Sequence, residues 1–170
     1  MNHPSIQFTI PITPSAQMRA RSTARGGFAR TYKHPEQRRH EEQLMPLLVQ
    51  HRPLEPFTGP LSLTVMAFLP IPGSKPKWWH DAAQNGALLP VTKPDLDNLV
   101  KNIKDCMQTV GFYANDSQVV EVVAQKLYST CPRWAIKLLE LPQVDAKEWK
   151  LRGSQEVATK PSNSGEDRRS

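Results

Sequence analysis

The stretch LSLTVMAFL, residues 61–69, does most to narrow what this chain can fold into. Leu61, Leu63, Val65, Ala67 and Leu69 alternate with other residues, the period-two pattern of a strand with one face turned to a core. Such a strand needs pairing partners for its backbone and an apolar layer over its face. Candidates for pairing lie on either side in sequence. Ile6, Phe8 and Ile10 repeat the alternation and stop at Pro11. Residues 117–129, SQVVEVVAQKLYS, are rich in β-branched side chains, and residues 133–141, RWAIKLLEL, are expected to fold back on them as a hairpin across TCP.

The covering layer comes from helical periodicity. Leu99, Ile103, Cys106, Met107 and Val110 recur at helical spacing over 98–110, with Gly111 as a stop. Residues 35–49 form a polar-rich helix with Leu44, Leu47 and Leu48 as its apolar contacts, and Pro46 is expected to kink or divide it. Ser74 is expected to cap a short helix that runs to Asn85 and ends at Gly86. Trp78 and Trp79 in that helix either pack inward, the first expectation, or offer stacking surfaces. The fold class is therefore α+β: a mixed, largely antiparallel sheet of about four strands flanked by helices, in a single domain over residues 1–145. Few aliphatics remain after Pro142, and residues 146–170 are expected to be a mobile polar tail.

Residues 13–34 break the order. They carry Arg19, Arg21, Arg25, Arg30 and Lys33 without one acid, among Ser, Thr, Gly and Ala, and are expected to form a loop. The whole chain has a net charge of +6, a balance that favours a polyanionic partner. The basic loop is the natural DNA arm, with Arg19, Arg21 and Arg25 on phosphates and Phe28 or Tyr32 against an exposed base. Lys75 and Lys77 form a weaker second set. Cys106 and Cys131 have no metal-ligand spacing, and no apolar run reaches membrane length. A soluble, reducing, cytoplasmic setting is the expectation.

The most specific stretch is KPDLDNLVKNIKD, residues 93–105. Asp95 and Asp97 stand at the mouth of a helix. One account is structural, since acids there cap unpaired N–H groups and favour the helix dipole. The other is chemical. In an extended segment carboxylates at i and i+2 point to one side, where a hard cation such as Mg²⁺ would offset their repulsion. Taking about 100° per residue, Lys101 and Lys104 lie opposite the apolar stripe, on the side that leads back to Asp97. Spacing alone leaves both accounts open.

KPDLDNLVK, the later NDSQVVEV and the N-terminal FTIPITPSAQMRAR together resemble the RusA family of Holliday-junction resolvases of bacteria and their prophages, over most of residues 5–141. The resemblance implies a Mg²⁺-dependent endonuclease, with Mn²⁺ able to substitute, working as a homodimer on four-way DNA junctions. It places the family's three metal-holding aspartates on Asp95, Asp97 and Asp116 and its catalytic lysine on Lys101. Relatives often have two adjacent acids where this chain has Asn115 and Asp116. For the acids to meet, GFYAND at 111–116 must return alongside the helix. A nuclease acting on other branched or flap DNA, and a DNA-binding protein without catalysis, are the competing expectations.

Overall fold

The computed structural model describes residues 4–17, 21–25, 28–32 and 34–144, and for the two short runs it describes the path of the backbone. The expected tail at 146–170 and Arg19 lie outside the described residues. In chain order the elements are β1 (Ser5–Ile10), β2 (Arg21–Arg25), β3 (Phe28–Tyr32), α1 (Pro35–Val49), β4 (Leu61–Pro70), α2 (Lys77–Gln84), α3 (Leu96–Val110), a 3₁₀ turn (Asp116–Gln118), β5 (Val119–Ser129) and β6 (Arg133–Glu140). β1, β6, β4 and β5 form one mixed sheet in that order. This is the expected α+β class, with both antiparallel pairs and the parallel β4–β5 pair present.

β4 takes the interior of the sheet because its alternation is the strictest. Leu61, Leu63, Val65, Ala67 and Leu69 are all buried. Its neighbours match that face: Leu63 stands opposite Leu138, Val65 opposite Ile136 and Ala67 opposite Trp134. β1 extends the same face, with Phe8 opposite Ile136 and Ile10 opposite Trp134. α3 covers it with Leu99, Ile103, Cys106 and Met107, and α1 adds Leu44 and Leu48 to the same core. Burial of these side chains drives the assembly, at roughly 1.5–3 kcal/mol for each large aliphatic one.

Several expectations give way. β5 and β6 are consecutive but not paired, because β4 lies between them. Local turn residues favour a hairpin, yet the strand with the most apolar face needs ladder partners on both edges, and it takes one from each. β5 is thereby left as a sheet edge, with Val120, Val122 and Val123 exposed. The parallel β4–β5 pair requires a long crossover, which α2 and α3 supply. Residues 13–34 are not all loop: β2 and β3 pair antiparallel from Arg21–Tyr32 to Arg25–Phe28. Pro46 does not divide α1, which runs unbroken through Val49. It stands in the last turn, where its missing N–H costs one hydrogen bond and buried Leu44 and Leu48 hold both flanks. Ser74 is not the cap of α2, which has Pro76 at its N-cap and starts at Lys77, because a proline disfavours helical backbone at the residue before it. α3 opens at Leu96, two residues before the expected start.

Candidate active site

The site grows from the first turn of α3. Asp95 is the N-cap, yet its side chain makes no capping hydrogen bond. Asp97 is exposed in the first turn and has no hydrogen-bond or ion-pair partner among the described residues. Neither carboxylate therefore makes a capping hydrogen bond among the described residues, although Asp97 in the first turn still favours the helix dipole. Because the helix starts at Leu96, the pair is not extended, and the two side chains separate. Asp97 lines a cavity of about 660 Å³ with Lys101, Lys104, Asp105 and Asp116. Asp95 lines a neighbouring cavity of about 1000 Å³ with Lys93, Asn98, His40 and residues 13–17.

Asp116 reaches the first cavity by the return that GFYAND was required to make. Gly111 sits at the C-cap of α3 with φ 93°, a left-handed conformation that costs glycine little, and turns the chain back. The Tyr113 hydroxyl then donates to the Lys104 carbonyl at 2.9 Å, and Gln108 Nε2 donates to the Ala114 carbonyl at 3.3 Å. Burial pushes the Tyr113 phenol's pKa upward, and electrostatic interaction with the nearby Asp116 and Asp105 adds to it, so the hydroxyl stays a donor. Asn115 and Gln118 form a reciprocal capping box around the 3₁₀ turn, which begins with Asp116. Lys104 Nζ lies 3.9 Å from Asp116 Oδ2.

Asp116 thus faces α3 beside the Lys104 side chain, which lines the same cavity as Asp97. Among the described residues no three acids, histidines or cysteines stand together closely enough to hold a metal ion. The donor set still suits Mg²⁺. That ion needs only one or two carboxylates and keeps several waters. Among the described residues nothing engages the Asp97 carboxylate at this cavity, and Asp116 has one long ion-pair contact, to a lysine.

Other parts hold the frame. Lys126, on the face of β5 that meets the helices, donates to the carbonyls of Thr92 at 2.7 Å and Pro94 at 2.9 Å, fixing the segment that leads into Asp95. Asn102 Nδ2 donates to Ser15 O at 2.8 Å. Gln17 N donates to Asn98 O and its Nε2 to Asp105 Oδ2, each at 2.9 Å. Residues 15–17 are thereby strapped along α3, a few residues before the β2–β3 hairpin begins. Sequence reasoning passed over Lys126, Gln118 and Gln17. A lysine inside a β-branched strand was the one visible signal. Of the expected DNA contacts, Arg21, Arg25 and Tyr32 fall on the hairpin backbone, and Lys75 and Lys77 are exposed at the start of α2.

Comparison with known proteins identifies the family. The family model described as endodeoxyribonuclease RusA matches residues 11–139, a span that contains both cavities. The uncharacterized protein YqaN of Bacillus subtilis (strain 168) is 37% identical over 139 residues, 80% of this chain and 96% of that protein. A crossover junction endodeoxyribonuclease rusA of Lactococcus phage r1t is 34% identical over 96 residues, 55% of this chain and 66% of the phage enzyme.

Proposed function

We propose that this chain, which belongs to the RusA endodeoxyribonuclease family, resolves Holliday junctions by paired symmetric cuts during DNA recombination and repair. The observation that carries this reading is the shared cavity. Asp97 and Lys101 from α3 and Asp116 from a separate segment line it, within the span of the family match.

Asp97 and Asp116 in the shared cavity, with Asp95 contributing from the neighbouring one, would hold Mg²⁺, and Mn²⁺ would substitute. When bound, such an ion supplies acidification of a water and neutralisation of charge on phosphate oxygens. The remaining work falls to the chain. Lys101 is exposed at the cavity and offsets charge on the scissile phosphate. Lys104 holds Asp116 in place from the other end. The basic hairpin, tethered to α3 through residues 15–17, engages the phosphate backbone through Arg21 and Arg25, as Arg19 would just before it. Matched cuts in two strands call for two sites, so the working unit is a homodimer with two-fold symmetry. The setting would be the cytoplasm of a bacterium or prophage host; among the described residues no helix is long and apolar enough to cross a membrane.

The test is end-labelled four-way junction beside linear duplex, each with Mg²⁺ or EDTA. Symmetric junction cuts that require the metal, with duplex left intact, support the reading. Equal cutting of duplex would move the assignment to a general or flap nuclease.

A further inference from the structure

α2 holds two adjacent tryptophans with opposite surroundings. Trp79 is half-buried; its ring meets Tyr128 edge-on at 5.2 Å between centroids, and Lys75 Nζ lies 5.3 Å from its ring. Ala83, one turn further on, is buried, and Gln84 Oε1 accepts from Thr130 N at 3.0 Å. The helix is thus pinned at both ends to the terminus of β5. Trp78, about 100° around the helix, is 66% exposed and has no ring or cation contact among the described residues. Lys75 and Lys77 come just before it in the chain, both exposed, against one acid in the helix, Asp81. Turning an indole into water forgoes a large apolar burial, while a firm helix holds it there with two lysines at the helix start.

The strand register locates this platform. Val122 and Ala124 of β5 line the cavity that contains Asp97 and Asp116. Lys126, next on the same face, anchors residues 92–94, and Tyr128 beyond it carries Trp79. Ala124 and Tyr128 are separated by about 13 Å at roughly 3.3 Å per residue. That is about four base-pair steps of a DNA strand at roughly 3.4 Å each.

We infer that α2 is a second DNA-contact surface beside the cleavage site, on which Trp78 stacks against an unpaired or terminal base at the branch point while Lys75 and Lys77 contact the adjoining phosphates. It rests on the reading above for its substrate, DNA, and not on cleavage. Every base has a π-face and every link a charge, so an exposed indole next to two exposed lysines suits this partner without demanding a sequence.

Binding in EDTA separates the two readings. The full chain and Trp78→Ala, Trp78→Phe and Lys75→Ala/Lys77→Ala variants are titrated with a four-way junction bearing 2-aminopurine at the branch, and with linear duplex. The wild type should quench the 2-aminopurine. Trp78→Ala should lose that quenching and bind the junction about five- to tenfold more weakly, with duplex affinity within about twofold and Trp78→Phe in between. The lysine pair should weaken both DNAs and flatten the salt dependence. Unchanged melting temperatures show that each variant is folded. Junction affinity within about twofold of wild type for Trp78→Ala, with quenching retained, overturns the inference even if the protein cuts junctions. The expected loss in a protein that cuts nothing sustains the inference and removes the nuclease reading instead.

Discussion

Gln118 offers the sharpest test of how the fold builds its site. Its carboxamide makes four hydrogen bonds. Oε1 accepts from Ala114 N and Asn115 N, each at 3.0 Å, and Nε2 donates to Phe57 O at 2.9 Å and Gly59 O at 3.2 Å. The first two involve exposed groups that water can serve, so each contributes a few tenths of a kcal/mol. The latter two are part-buried and contribute about 1 kcal/mol each. Gln118→Ala should therefore destabilise the protein by about 2–3 kcal/mol in urea unfolding with an unchanged m-value. Gln118→Glu keeps the acceptor but sets a carboxylate against two carbonyls, and should cost at least as much. Because the same bonds seat the turn that begins with Asp116, junction cleavage by the folded Gln118→Ala protein should fall by at least about tenfold. A variant within about 0.5 kcal/mol of wild type and fully active would refute the claim that this side chain positions Asp116.

Three shorter tests address other links. Lys101→Met should lower cleavage by about a hundredfold while junction affinity shifts by less than about threefold, since the amine acts on charge built up in the reaction. Gly111→Ala meets no atom within 4 Å, so its cost is backbone strain at φ 93°: about 1 kcal/mol, or a melting temperature lower by roughly 3 °C. Tyr113 sets a pH dependence. Burial raises its pKa in the folded chain, so its proton is held more tightly there than in the unfolded one. That contribution is whole below about pH 10 and is lost as the pH climbs above it. Tyr113→Phe should be weaker by about 1 kcal/mol at pH 7 but lose less stability between about pH 9 and 11.

The sequence carried the sheet's most apolar strand, the stripe of α3 and its glycine stop because each is a local repeat with one buried face. It did not carry the pairing of strands. β5 and β6 are joined by three residues that favour a turn, and nothing within them tells that β4 will lie between. The β2–β3 hairpin had a signal that was passed over: two glycines at 26 and 27 set between two five-residue runs. At the site, Asp97, Lys101 and Asp116 were legible from motif resemblance, and the structure brings all three to one cavity. The separation of Asp95 from Asp97 was not, because it turns on whether the helix begins before or after residue 97. The supports Gln118 and Lys126 act through backbone carbonyls distant in sequence, which no spacing reveals.

The most direct measurement is the single-turnover cleavage rate of a four-way junction at saturating Mg²⁺ by Asp97→Asn and Asp116→Asn, with binding followed in parallel. Both rates should drop by at least about a hundredfold while affinity holds or improves, because a charge facing phosphate has been removed. Rates within about threefold of wild type in either variant would contradict a hydrolytic centre built from these two carboxylates.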